Sequence, residues 1–154
     1  MPEVLLKSPH GLGDLCQFTV VLKHLRRHKP DWVIDVCCRR GKETALTGLC
    51  RRAYPDHEPQ PDESKYQQIF DLGWWENYSQ YPDRPNSKVT NCLKEVFGLD
   101  WDADLGRYEI KVREGALERA AEYLWSIKAP MVDGCFRVVI FHGQGNTSPD
   151  RKNL

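Results

Sequence analysis

Val4-Leu5-Leu6-Lys7-Ser8-Pro9-His10-Gly11-Leu12-Gly13-Asp14 decides the reading of this chain. An apolar run with strand character ends in a glycine turn, and a carboxylate stands where an amphipathic helix begins. That helix is predicted over Asp14 to His28. Leu15, Phe18, Leu22 and Leu25 recur at steps of three and four, Lys23, Arg26 and Arg27 fall on other faces, and Pro30 ends it. A strand, a glycine turn and a helix in that order make the opening unit of an α/β fold.

The rest of the sequence extends the pattern. Trp32 to Cys38 (WVIDVCC) reads as a second strand, and Thr44 to Tyr54 as a second helix closed by Pro55. Residues 55–65, rich in Pro, Asp and Glu, form a loop, and Ile69 to Leu72 a short strand. Residues 74–87 read as an irregular aromatic loop with Trp74, Trp75, Tyr78 and Tyr81. Val89, Leu93, Val96 and Phe97 mark a helix that Gly98 terminates. Tyr108, Ile110 and Val112 alternate as a strand does, and Glu114 to Ile127 carries a helix with Leu117, Ala121 and Leu124 on one face. Pro130 to Gly134 reads as a linker and Arg137 to His142 as a last strand. The order β-α-β-α-β-α-β-α-β predicts a mostly parallel sheet covered by helices.

Composition narrows the function. At 154 residues the chain is long enough for one real core. Lys plus Arg and Asp plus Glu number 22 each, so no global charge draws it to nucleic acid or an anionic membrane. Mean hydropathy is −0.61, and no apolar run approaches the roughly 18 residues of a membrane span. Met1-Pro2-Glu3 does not open a secretory signal. The six cysteines include no C-x-x-C pair for zinc or redox chemistry, and are expected to be reduced thiols in a cytoplasmic protein.

Gly11 and Gly13 let the backbone turn tightly and let a ligand come close. Asp14 has two readings, a helix N-cap and a catalytic base, since negative charge is favoured at a helix N-terminus. A dinucleotide site fits poorly. Cys16 stands where G-x-G-x-x-G needs its third glycine, and the Asp14 carboxylate would repel a pyrophosphate. A second strand-to-turn junction, Val138-Val139-Ile140-Phe141-His142-Gly143-Gln144-Gly145-Asn146-Thr147-Ser148-Pro149, precedes Lys152. Ser148 and Pro149 suit a capped helix start; alternatively Thr147, Ser148, helix N–H groups and Lys152 converge on a diphosphate. No G-K-[ST] makes this a Walker loop. Asp100 to Asp104 lacks the glycine and glutamate of an EF-hand, and His24 and His28 lack a third metal ligand, so an acidic loop and solvated surface are expected. Arg26-Arg27, Arg39-Arg40 and Arg51-Arg52 are expected to be solvated ends of elements. The aromatics of 66–81 suit either satellite packing or stacking on a sugar.

With both junctions in view, the chain resembles the N-terminal half of glycosyltransferase family 9, the ADP-heptose:lipopolysaccharide heptosyltransferase-like enzymes. The resemblance is carried by the opening strand with Gly13-Asp14, the helix through Leu22, Leu25 and Pro30, the strand from Val33, the Gly98-Leu99 step and Thr147-Ser148-x-x-x-Lys152. It implies a Rossmann-like α/β domain of the two-domain GT-B architecture. Residues 1–130 would form the acceptor-side domain, and 131–154 the linker and start of a nucleotide-sugar-binding domain. It implies an inverting, metal-independent transfer of a heptose-like sugar to a glycan or lipopolysaccharide-type acceptor, with no cofactor beyond the nucleotide-sugar donor. Asp14 would be the base, Gly11 and Gly13 would border the substrate, and Thr147, Ser148 and Lys152 would hold the donor diphosphate. It implies no nucleic-acid partner and at most peripheral membrane contact. The family usually carries Trp-Pro after the lysine, where this chain has Asn153-Leu154. Alone, these 154 residues are expected to fold through about residue 128 and to be inactive, one turn of helix after Thr147 being too short to hold itself. Other readings are another nucleotide-dependent α/β enzyme, such as a dehydrogenase, and a non-catalytic α/β binding module.

Overall fold

The computed structural model describes residues 1–73, 88–109, 111 and 114–136. The chain divides into two compact units, Met1–Val112 and Arg113–Leu154. The first is an α/β unit built on four parallel strands: β1 (Glu3–Ser8), β2 (Val33–Cys38), β3 (Arg52–Pro55) and β4 (Gln68–Asp71), in the order β3-β2-β1-β4. β1 is central. Its Leu6 pairs with Val36 on one side and Phe70 on the other.

One face of the sheet carries the core. Val4 and Leu6, Ile34 and Val36, and Phe70 alternate toward α1 (Leu12–His28) and α2 (Lys88–Phe97). Leu15, Phe18, Leu22 and Leu25 of α1 are almost wholly shut off from solvent, as their spacing predicted. From α2, Val89, Cys92, Leu93 and Phe97 join them, and the Phe97 ring lies 5.0 Å from that of Phe70. Gly98 then takes a left-handed φ of +64°, which costs a glycine little, and α2 stops there.

The second helix expected over Thr44 to Tyr54 does not form. That stretch is a short 3-10 turn, Glu43–Leu46, followed by β3. Ala45, Leu46 and Leu49 have the spacing of a helix, but they act as an apolar plug on the core. Gly48 at φ +80° breaks the turn, and Arg52 to Pro55 gain more by extending the sheet beside β2.

The other sheet face is polar. Leu5, Lys7, Asp35, Cys37, Ile69 and Asp71 share it by register, and the segment 56–67 crosses over it. Tyr66 Oη donates to Asp35 Oδ2 at 2.7 Å, and Lys7 Nζ pairs with Glu63 Oε1 at 2.8 Å. Among the described residues, helices therefore cover one face of the sheet and a loop covers the other. Asp35 is a fully buried carboxylate in the middle of β2, held by Arg51 Nε at 2.9 Å and by a second Arg51 nitrogen at 2.6 Å.

Residues 99–109 run along α1 without forming a strand at Tyr108 or Glu109; Ile110 and Val112 of the expected strand lie outside the described residues. Arg51 is exposed as expected, although its guanidinium reaches Asp35, whereas His24 corrects the expectation of solvated surface. His24 is fully buried, its Nδ1 donates to Val20 O at 2.8 Å and its Nε2 accepts from Asp102 N–H at 3.0 Å.

In the second unit, α3 (Ala116–Ser126) lies inside the helix predicted there. The expected linker at Pro130 to Gly134 is instead a small antiparallel hairpin, β5 (Met131–Val132) and β6 (Cys135–Phe136). Asp133 and Gly134 both have positive φ, as a tight hairpin turn demands. The Trp125 ring meets Phe136 edge-on at 5.2 Å. The strand expected at Arg137 to His142, the junction with Thr147, Ser148 and Lys152, and the aromatics Trp74, Trp75, Tyr78 and Tyr81 lie outside the described residues. No described helix is long and apolar enough to cross a membrane.

Candidate functional site

The chain leaves β1 toward β2 on one side and returns to β4 on the other, so the strand order reverses beside β1. In parallel α/β sheets, ligands sit outside the carboxyl ends of the strands at such a reversal. Here that edge is made by Ser8 to Gly13 after β1 and by Leu72-Gly73 after β4. His10 joins the two. It is buried, and its Nε2 donates to Leu72 O at 2.8 Å, which fixes the loop that leads into α1.

α1 begins two residues earlier than expected. Gly11 is its N-cap, extended at φ −65° and ψ 172°, so Asp14 is not the cap but lies within the first helical turn. Its carboxylate meets a partner from far along the chain. Lys88 Nζ, on the first residue of α2, is 3.1 Å from Asp14 Oδ1. Both side chains are about 30% exposed, so the pair stands at the surface and within reach of a ligand. Among the described residues, Oδ2 has no hydrogen-bond partner.

Gly11 and Gly13 are not demanded by the fold. Neither has a left-handed φ, and a Cβ at either would meet nothing within 4 Å. What their lack of side chains achieves is open backbone around Asp14. Gly73 is different, because a Cβ there would stand 3.1 Å from Asp71 Oδ1, which accepts the Gly73 N–H at 2.9 Å.

The same edge holds a pocket of about 360 Å³, on the side of β1 that faces β2 and beneath the 56–67 segment. Lys7, Cys37 and Asp71 rise from its floor, and Gln60 and Glu63 close over it. Ser8 also lines it, and the Ser8 Oγ is buried without a hydrogen-bond partner. Burial pushes the Cys37 thiol up from its ordinary range, with nearby Lys7 opposing.

The structure thus brings Asp14 together with Gly11 and Gly13, as one segment must, and adds His10 and Lys88. His10 sits inside the quoted motif and carried no signal of burial. Lys88 is 74 positions from Asp14, and no local pattern announces so distant a pair. No group of three or more metal-ligating side chains occurs among the described residues. Comparison of the chain with protein-family models, curated proteins and solved structures finds no match.

Proposed function

We propose that this chain is the acceptor-side part of an inverting glycosyltransferase, a Rossmann-like domain of the GT-B type working in the cytoplasm on a nucleotide-sugar donor. The observation that carries the reading is Asp14. It is a partly exposed carboxylate in the first turn of α1, beside open glycine backbone, at the carboxyl edge where the strand order reverses.

In the proposed reaction, Asp14 Oδ2 takes the proton from an acceptor hydroxyl as its oxygen bonds to the anomeric carbon of the donor sugar. The bond from that carbon to the diphosphate breaks, and the diphosphate leaves with the electron pair. Lys152, Thr147 and Ser148 take the diphosphate role in this proposal. Positioned cations and N–H groups stabilise charge that gathers on a leaving group. The acceptor is a glycan or glycolipid of the lipopolysaccharide type.

The test is release of nucleoside diphosphate from ADP- and UDP-sugars by the product of the complete reading frame, with a lipopolysaccharide-core acceptor. General-base help is typically worth about 10²–10⁴ in rate, so Asp14→Asn is expected to lose at least 100-fold in turnover with donor affinity unchanged. An Asn variant that turns over at the parent rate removes Asp14 from the chemistry.

A further inference from the structure

The pocket beneath the 56–67 segment is not needed by the step assigned to Asp14. Its roof lies on the polar sheet face, fastened there by Lys7–Glu63 and Tyr66–Asp35, whereas α1 and Asp14 begin on the opposite face. Its lining has an unusual balance. Asp56, Glu63 and Asp71 bring three carboxylates against the two cations Lys7 and Arg39.

Each carboxylate has one oxygen already engaged by the protein. Asp56 Oδ1 accepts the Arg40 N–H at 3.0 Å, Glu63 Oε1 pairs with Lys7, and Asp71 Oδ1 accepts the Gly73 N–H. Those bonds fix the carboxyl groups and leave the second oxygen of each without a partner among the described residues. Ser8 lines the pocket at the end of β1, while its hydroxyl is shut off from solvent and by alternation shares the helix-facing side with Leu6.

The ligand class follows from this inventory. A phosphate or other anion would face a net excess of carboxylates. A bare cation would need ligands converging on one point, and no such group exists among the described residues. Several fixed acceptors with an ammonium and a guanidinium among them suit a neutral molecule rich in hydroxyls, since a carboxylate oxygen accepts from a hydroxyl in a charge-assisted bond. A volume of about 360 Å³ accommodates such a molecule of one or two rings.

We infer that this pocket binds a neutral sugar residue, one that is not the residue reacting at Asp14. The choice of a sugar rests on the glycosyl-transfer reading, while the occupancy of the pocket is tested apart from it. A sugar held here gives the acceptor a second point of attachment on the far face of the sheet.

The experiment is an amide-resolved NMR titration of the whole 154-residue chain with methyl α-mannoside, methyl β-galactoside and a neutral heptose, and separately with inorganic phosphate and ADP. Saturable shifts at Ser8, Cys37 and Asp71 are expected with a neutral sugar. They should weaken at least 10-fold in Asp71→Asn and Asp56→Asn, and persist in Asp14→Asn. Phosphate or ADP shifting those amides in place of the sugars overturns the inference, as does a sugar response confined to residues 11–14. Absence of any shift at 50 mM sugar in the folded chain also overturns it. None of these results touches the turnover test of Asp14, so the two readings fail separately.

Discussion

Lys88 places its ammonium 3.1 Å from the Asp14 carboxylate, and so ties the first turn of α1 to the first residue of α2. Both side chains are partly solvated, and exposed pairs of this kind contribute about 0–1 kcal/mol. Lys88→Met is therefore expected to lower stability by less than about 1 kcal/mol in urea melts. A loss above about 2 kcal/mol would mean that the pair anchors the helix start, leaving Asp14 a structural part.

Gly13 lies inside α1, with no backbone need for glycine and free space where a Cβ would stand. Glycine in a helix interior is less favourable than alanine by about 1 kcal/mol, an upper figure so near the end. Gly13→Ala should thus stabilise the fold by some tenths up to about 1 kcal/mol in thermal or urea melts. If a substrate approaches the backbone at Gly13, the same change should depress turnover at least 10-fold in the complete enzyme. A variant that is both more stable and fully active would show that the open backbone has no role in binding.

The opening of the fold was legible because its signals are local. The β1 run, the three-and-four spacing of Leu15 to Leu25, and Gly98 after Phe97 each settle their element with little help from elsewhere. The error at Thr44 to Tyr54 arose because Ala45, Leu46 and Leu49 satisfy the same spacing in an apolar plug, while the availability of the β2 edge is a tertiary fact. The Asp133-Gly134 turn was readable, since Asp-Gly is a strong hairpin signal, but its two-residue flanks are too short to show alternation. At the candidate site, Gly11, Gly13 and Asp14 were visible in sequence. Lys88, His24 and Asp35 were not, because burial and ion pairing across dozens of residues leave no local trace.

Asp35 shows what such a hidden group does. Burial pushes its carboxyl up, yet the hydrogen bonds from Arg51 and Tyr66 outweigh that and hold it below the usual aspartate range. Arg51 also grips Glu3 at 2.9 Å, and this bond holds the Glu3 carboxyl low as well. Breaking a wholly buried pair by removing one partner costs about 3–5 kcal/mol, and since Arg51 is 44% exposed while Asp35 is buried, Arg51→Met is expected to cost less than that. A folded value below the unfolded one means that Asp35 adds stability at neutral pH, lost as pH falls through the folded value. With an unfolded reference near 3.9, the loss is expected below about pH 4. Urea melts between pH 7 and pH 2 should show a shallower acid decline in Asp35→Asn. An identical decline would mean that other carboxylates carry it.

The thiols divide by burial. Cys38, Cys50 and Cys92 are pushed up to about 12 by desolvation, whereas Cys135 is exposed. The thiolate is the reactive form, so the first three are expected to resist alkylation in the folded chain. Iodoacetamide at pH 8, followed by peptide mass mapping, should label Cys135 first and those three only after denaturation. Prompt native labelling of Cys92 would show that α2 opens far more readily than its packing implies.

Ser8 offers the sharpest contrast between stability and binding. Its Oγ is buried with no partner on the side of β1 that Leu6 shares, and an unsatisfied buried hydroxyl carries a penalty of about 1–3 kcal/mol. Ser8→Ala removes that hydroxyl while leaving a small residue at the end of β1. The expected result is a more stable chain, by about 1 kcal/mol in urea melts. The sugar response proposed for the pocket should be unchanged, because the hydroxyl is shut off from it. Stability gained with a weakened sugar response would mean that the hydroxyl turns toward the pocket when the ligand binds. Stability lost would mean that the hydroxyl has a partner in solution, such as a bound water.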